Sequence, residues 1–248
     1  MPLQASGFSK IAQLPEESPI CGRYSIALEP IELAEVLECD LPDFVFVRRY
    51  NVAPTQDVPV VVMEDGKRRL RLMRWGLVPS WAKDPAIGNK MINARAETVA
   101  EKPSYRKPFQ RQRCLAPATS FFEWQKVTGA RAKIPMCIAF KGMKLFAMAG
   151  LWDLWKMPDG RELRSFAIIT TAAGDFMRPI HERQPVISDR KDWQAWLDPA
   201  LTDPARLTAL LASSTAAEPE AYEVSTAVNS PSNDVEECIR SVAKPATL

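Results

Sequence analysis

The chain has 248 residues, 46% of them apolar and 25% charged, which fits one large globular domain or two small ones and excludes a disordered or collagen-like chain. Lys and Arg number 32 against 30 Asp and Glu, a net charge of +2, so any nucleic-acid signal has to be local. The longest apolar run, Leu145 to Trp152, is 8 residues, far short of the roughly 20 that a membrane helix needs.

In chain order, residues 1–20 show no periodic pattern, and Lys10, Glu16 and Glu17 interrupt any apolar centre of a secretory signal. A flexible leader on a cytoplasmic protein is expected. After Pro30, Ile31, Leu33, Val36 and Leu37 recur at helical spacing and predict a short amphipathic helix ending near Cys39. Val58 to Met63, the turn pair Asp65–Gly66, and Leu70 and Leu72 alternating with charged residues predict a β-hairpin. A helix is predicted over Ala94 to Lys102. Strands are predicted at Met136 to Phe140, Leu145 to Ala149 and Ser165 to Thr170, the first two separated by a turn containing Gly142. A last helix starts at Ser188 or Asp189 as N-cap and runs through Trp196. Beyond Ala217, six acidic residues against two basic ones mark an edge segment or a solvated tail. The mixture is α+β, and the evenly spread prolines leave no evident linker, so one domain is expected.

Five cysteines (Cys21, Cys39, Cys114, Cys137, Cys238), odd in number and without a CxxC pair, together with a single histidine, argue against a disulfide framework or a zinc cage. No metal or cofactor is expected. Between Lys67 and Arg113, 13 basic residues face three acidic ones, a local +10 that leaves −8 for the remainder. Trp75, Trp81, Tyr105 and Phe109 interleave with these cations. A basic groove with rings is how single-stranded nucleic acid is held, although solvated faces and core rings give the same pattern.

Four residues could carry chemistry. Cys21 opens the run CGRY, where the competing reading is a buried packing thiol. Glu123 lies in FFEWQ, and an apolar wrapping would raise its pKa into the range of general acid–base work, unless strand alternation turns it to water. His181 lies between Pro179 and Pro185 in a rigid loop and is the natural proton shuttle near neutral pH, or else a structural histidine. Asn93 and Arg95, at a predicted strand-to-helix junction, could position an anionic or carbonyl ligand.

Together these runs resemble the SRAP family, the SOS response-associated peptidases or abasic-site processing proteins, which include the HMCES proteins. The resemblance runs through CGRY (21–24), YNVAPTQDVPVV (50–61), WGLVPSWAKDPAIGNKMINARAET (75–98), CLAPATSFFEW (114–124), GLWDLW (150–155), IITTAA (168–173), HERQPVI (181–187) and VSTAVNSPSND (224–234). It implies a single-domain SRAP-like fold with a mostly antiparallel β core flanked by short helices, spanning 21–240. Residues 1–20 would be a leader or a mis-assigned N-terminal extension, and 241–248 a tail. It further implies covalent capture of abasic sites in single-stranded DNA by a monomer in the cytoplasm, nucleoid-associated, without cofactor. Cys21, as an N-terminal 1,2-aminothiol, would close a thiazolidine with the sugar aldehyde. Glu123 would shuttle protons, His181 would act on the sugar oxygen, and Asn93 would hold the sugar or amine. Arg23, Arg95 and Arg183 would grip phosphates, with Pro54, Trp75, Trp124 and Thr170 shaping the DNA site.

This sequence departs from the family pattern in placing Ile20 before Cys21, so the nitrogen is an amide until residues 1–20 are removed. Attack of the Cys21 thiol on the Ile20 carbonyl would remove them and fits the peptidase name. Thr119, Ser120 and Gln184 also depart from the common residues, each beside a proposed catalytic position. Two other functions fit the same residues: a cysteine peptidase acting on other proteins, and a non-catalytic sensor of single-stranded DNA.

Overall fold

The computed structural model describes residues 21–129, 131–213 and 217–242. The leader at 1–20 and the tail from 243 onward lie outside them. Two sheets make up the fold. One contains β1 (Arg23–Ile26), β2 (Arg49–Val52), β7 (Ser120–Gln125), β8 (Ile134–Phe140) and β13 (Pro219–Glu223), in the order β13-β8-β7-β1-β2. The other is built on β3 (Asp57–Glu64), β4 (Lys67–Trp75), β6 (Arg113–Ala118), β9 (Phe146–Lys156) and β10 (Glu162–Ala172). Its strands run β10-β4-β3-β6-β9, and β9 pairs again with β10, so these five close into a small barrel. The short β5 (Asn93–Arg95), β11 (Arg183–Pro185) and β12 (Ile187–Ser188) extend it. Pairing is antiparallel except where β4 and β5 meet β10.

The predicted hairpin is β3–β4, in register from Asp57 opposite Arg74 to Glu64 opposite Lys67. Asp65 and Gly66 take φ of +50° and +73°, the two left-handed positions that a tight hairpin turn requires. The first predicted helix is α1 (Pro30–Leu37), opened by a capping box between Glu29 and Glu32 and closed at Glu38 in the left-handed region. It buries Leu33, Ala34 and Leu37, while Ile31 points to solvent because it lies roughly 200° around the helix from Leu33.

The helix predicted over Ala94 to Lys102 does not form. Asn93–Arg95 is drawn into the sheet by pairing with Ile168–Thr170, turns follow, and α2 starts only at Pro103 and runs to Arg111. Proline tolerates the first helical position and disfavours helical backbone in the residue before it, and Lys102 is extended at φ −63°, ψ 129°. Asp189 caps a 3₁₀ turn that leads into α3 (Trp193–Leu197), and α4 (Pro204–Ala212) follows. The segment beyond Ala217 is an edge strand, β13, on β8. After it, Val224, Val228 and Cys238 pack on Phe122 and Cys137 as a small second core.

The main core lies between the sheets. Tyr24 of β1 meets Trp75 of β4 at 5.0 Å between ring centroids, and Trp75 stacks on Phe166 of β10 at 6.5 Å, so aromatic contacts tie one sheet to the other. Among the described residues no helix is long and apolar enough to cross a membrane.

Candidate active site

Cys21 immediately precedes β1 and takes φ +46°, in the left-handed region that side chains rarely adopt. Because β1 runs antiparallel to β7, with Arg23 opposite Phe122, the start of β1 falls at the end of β7. There the Cys21 backbone nitrogen donates to Glu123 Oε1 at 2.7 Å. Cys21 is 0% and Glu123 2% exposed, so alternation along β7 turns Glu123 inward rather than to water.

Burial disfavours the carboxylate and raises the pKa of Glu123 to about 8, against smaller opposing effects of the Cys21 N–H and of Lys133. Burial, and then the neighbouring Glu123, push the Cys21 thiol well above its ordinary range. Near pH 7 the pair is therefore a thiol and a carboxylic acid, neutral in both members.

His181 sits in the loop before β11, half-buried, with its pKa lowered chiefly by burial. The backbone N–H of Arg183 donates to His181 Nδ1 at 3.2 Å, which leaves the ring proton on Nε2. A neutral imidazole with an Nε2–H donor is the state at pH 7. Lys133 acts electrostatically on both His181 and Glu123, and Gln125, at the end of β7, donates to Pro179 O at 3.1 Å. The fold thus brings the His181 loop beside the Glu123 strand.

Asn93 and Arg95 lie on β5, alongside Thr170 of β10; the amide oxygen of Asn93 is enclosed, and Arg95 is exposed. Arg183 of β11 reaches back over Thr170, donating to its carbonyl at 2.8 Å and to Oγ1 at 3.3 Å, and holds both Glu97 oxygens at 3.0 and 2.9 Å. Thr170 is buried, so it can shape a DNA surface only through Arg183. Arg23 donates to Asn51 and to the carbonyls of Val228 and Asn229, and lies 5.9 Å from the centroid of the half-buried Trp124 ring.

The rings separate into two kinds. Trp75 is 0% exposed and donates to Ile92 O at 2.9 Å, so it offers no face to a base. Its contribution is to support the turn at half-buried Pro54: Thr55 donates to Trp75 O at 2.8 Å, and Trp75 N donates to Gln56 O at 3.0 Å. Phe109 is likewise buried. Trp81, by contrast, is 59% exposed.

The basic band also divides. Arg68, Arg69 and Arg71 pair with Glu38, Asp40 and Glu64. Arg113 is 2% exposed, its guanidinium donating to the carbonyls of Phe109, Trp196, Asp198 and Leu201. The exposed remainder is Lys67, Lys83, Lys90, Arg95, Lys102, Arg106, Lys107 and Arg111. A continuous basic face from 67 to 113 is therefore not what the fold presents. The open cations are concentrated from Lys83 to Arg111, with Trp81 at their edge in sequence.

Residues 20–231 match the family described as SOS response associated peptidase (SRAP). This chain belongs to the SRAP family. Among SRAP relatives, the abasic site processing protein YoqW of Bacillus subtilis (strain 168) is 45% identical over 224 residues, covering 90% of this chain and 100% of its own. The abasic site processing protein HMCES of Gallus gallus is 35% identical over 223 residues, which cover 77% of this chain and 65% of that protein. A crystal structure of a protein from Bacteroides thetaiotaomicron superposes with a TM-score of 0.80 at 28% identity, over 90% of this chain and 100% of that one. The α+β, mostly antiparallel architecture expected of an SRAP chain is the one observed.

Sequence reasoning did not single out Asn51, Asn229 or Asp234, although all three lie in runs that carry the SRAP resemblance. Asp234 accepts from the backbone nitrogens of Tyr50 and Asn51 at 2.6 and 2.9 Å and from Arg49. No local pattern links residue 51 to residue 234. The only available signal was an amide and an acid inside two otherwise unexplained runs.

Proposed function

We propose that this chain captures abasic sites in single-stranded DNA covalently, with Cys21 acting as an N-terminal residue after residues 1–20 are removed. The observation that carries this reading is the buried 2.7 Å contact between the Cys21 nitrogen and Glu123. A carboxyl group stands at the Cys21 backbone nitrogen, whose release would create a 1,2-aminothiol. The names of the relatives, abasic site processing proteins, support the substrate.

Removal of residues 1–20 begins when the Cys21 thiol adds to the Ile20 carbonyl carbon. The thiol proton passes to nitrogen, which leaves as the amine as the C–N bond breaks, and water then hydrolyses the thioester, freeing a carboxylate and a proton and restoring the thiol. The open-chain aldehyde of an abasic deoxyribose then condenses with the amine, losing water to form a Schiff base. Sulfur adds to the C=N carbon, its proton passes to nitrogen, and a thiazolidine closes. In the fraction whose Cys21 amine is uncharged, the buried Glu123 keeps its proton and gives it to the hydroxide, which departs as water. His181 offers Nε2–H to the sugar ring oxygen and favours opening. An α-amine titrates near ~7.7–8.0, so a working fraction is nucleophilic at pH 7.

Asn93 holds the sugar, Arg95 and the open cations from Lys83 to Arg111 meet phosphates, and Trp81 and Trp124 offer rings for bases. Arg23 and Arg183 present guanidinium groups already anchored on protein acceptors. The scheme calls for a monomer working at the nucleoid and for no cofactor.

One denaturing gel tests the reading, with protein freed of residues 1–20 and single-stranded DNA carrying one abasic site. A heat-stable adduct is expected. Salt-sensitive binding without an adduct would leave only a sensor, and cleavage of unrelated peptides would point to a protease.

A further inference from the structure

Arg23 and Trp124 flank the Cys21–Glu123 pair in sequence, yet what fixes their side chains comes from the far end of the chain. Trp124 Nε1 donates to Asn229 Oδ1 at 2.7 Å, and Arg23 donates to Val228 O at 2.6 Å and Asn229 O at 3.2 Å. The stretch 228–233 is in turn gathered by one side chain, Asn51 of β2. Its two Nδ2 hydrogens are shared among the carbonyls of Val228, Ser230 and Asn233 at 3.2, 3.0 and 2.8 Å, and its Oδ1 accepts from Arg23 Nη1 at 3.0 Å. Asn51 is 0% exposed, and Asp234 pins the end of the same stretch to the backbone of Tyr50 and Asn51.

A primary amide suits this position because it carries donors for carbonyls and an acceptor for a guanidinium on one short stem. Aspartate would keep the acceptor and lose the donors, and leucine would lose both. Buried polar networks of this kind fix a unique arrangement when fully satisfied.

We infer that Asn51 is a positioning residue for the DNA-binding edge of the site: it gathers the 228–233 stretch, which holds the Arg23 guanidinium and the Trp124 ring on the strands that carry Cys21 and Glu123. The inference deepens the proposed function, resting on Arg23 and Trp124 as DNA contacts. It also gives the runs YNVAPT and VSTAVNSPSND a shared task, since each supplies half of the network.

The test uses the full chain and a single-stranded oligonucleotide carrying a tetrahydrofuran abasic analogue, which cannot form an aldehyde and so reports binding without chemistry. Asn51→Ala and Arg23→Ala are each expected to weaken binding about tenfold, the loss of one charge-assisted contact. The double variant should be no weaker than the weaker single variant, and the salt dependence should fall by the same ~0.7 in slope for all three. Independently of DNA, the Trp124 indole N–H resonance, assigned with Trp124→Phe, should move in Asn51→Ala as it does in Asn229→Ala.

Additive losses would overturn the inference. So would an Asn51→Ala protein with a lowered melting temperature but an unmoved Trp124 resonance and wild-type oligonucleotide affinity, because Asn51 would then be a structural staple. If Asn51→Ala does not fold, Asn51→Asp decides on the same resonance, which must move. Wild-type binding by Arg23→Ala would defeat the DNA role of Arg23 alone, while the Trp124 resonance would still decide whether Asn51 positions the site.

Discussion

Glu123 and Glu97 show how one side chain serves two ends. Glu123 is buried against the Cys21 amide, and burial lifts its pKa to about 8. Glu97 is half exposed and gripped by Arg183 through two hydrogen bonds, which hold its pKa below the ordinary carboxylate value. The difference comes from surroundings alone: one carboxyl gives and takes protons near neutral pH, whereas the other stays ionised and anchors a guanidinium.

The largest expected effect is on the reacting pair. Cys21→Ala should abolish the adduct with abasic single-stranded DNA on a denaturing gel, since no second 1,2-aminothiol can form. Glu123→Gln, nearly isosteric, should slow single-turnover adduct formation roughly 100-fold, the lower end of what a general acid–base group contributes. A wild-type rate in Glu123→Gln would show that the buried carboxyl takes no part.

The buried and exposed tryptophans sharpen the contrast in a second way. Trp75→Ala should cost about 3–5 kcal/mol of stability by emptying a core position. Trp81→Ala should change stability by less than about 0.5 kcal/mol while weakening single-stranded DNA binding by ~1–3 kcal/mol. Chemical denaturation and fluorescence anisotropy measured on both variants decide this, and equal stability losses would refute the assignment.

The glutamates should also part in their pH dependence. Glu123 has a raised folded-state pKa, so its contribution is fully present below the ordinary carboxylate value near 4.5 and is lost as pH rises toward about 8. The span is at most on the order of 5 kcal/mol, and urea melts of Glu123→Gln should lack it. A new ammonium at Cys21, once residues 1–20 are gone, should bring the Glu123 pKa down, which carboxyl NMR can follow. Glu97 has the opposite sign: its pair with Arg183 stabilises above the ordinary carboxylate pKa and weakens as pH falls below it. Being partly exposed, that pair is expected to contribute about 1 kcal/mol or less, so Glu97→Gln should scarcely move the melt at pH 7.

Much of this was written locally. The Asp65–Gly66 turn, the apolar runs on either side of it and the Asp189 cap follow from turn chemistry and alternation, which act over a few residues, whereas the charge beyond Ala217 left an edge segment and a solvated tail open until pairing with β8 decided it. The candidate set of Cys21, Asn93, Glu123 and His181 was legible as residue types in recognisable runs. Neighbours far along the chain settled the rest. Residues 93–95 became strand because β10 offered them a ladder; Glu123 faced inward because it shares the face of β7 on which Phe121 enters the main core; Trp75 was taken by the core and Trp81 was not. The band of cations divided according to which acids the fold brought within reach. Asn51 and Asp234 matter only once the chain end returns to β2. Local sequence encodes preferences of backbone and side chain, but burial and partnership, which set protonation and direction, are properties of the assembled molecule.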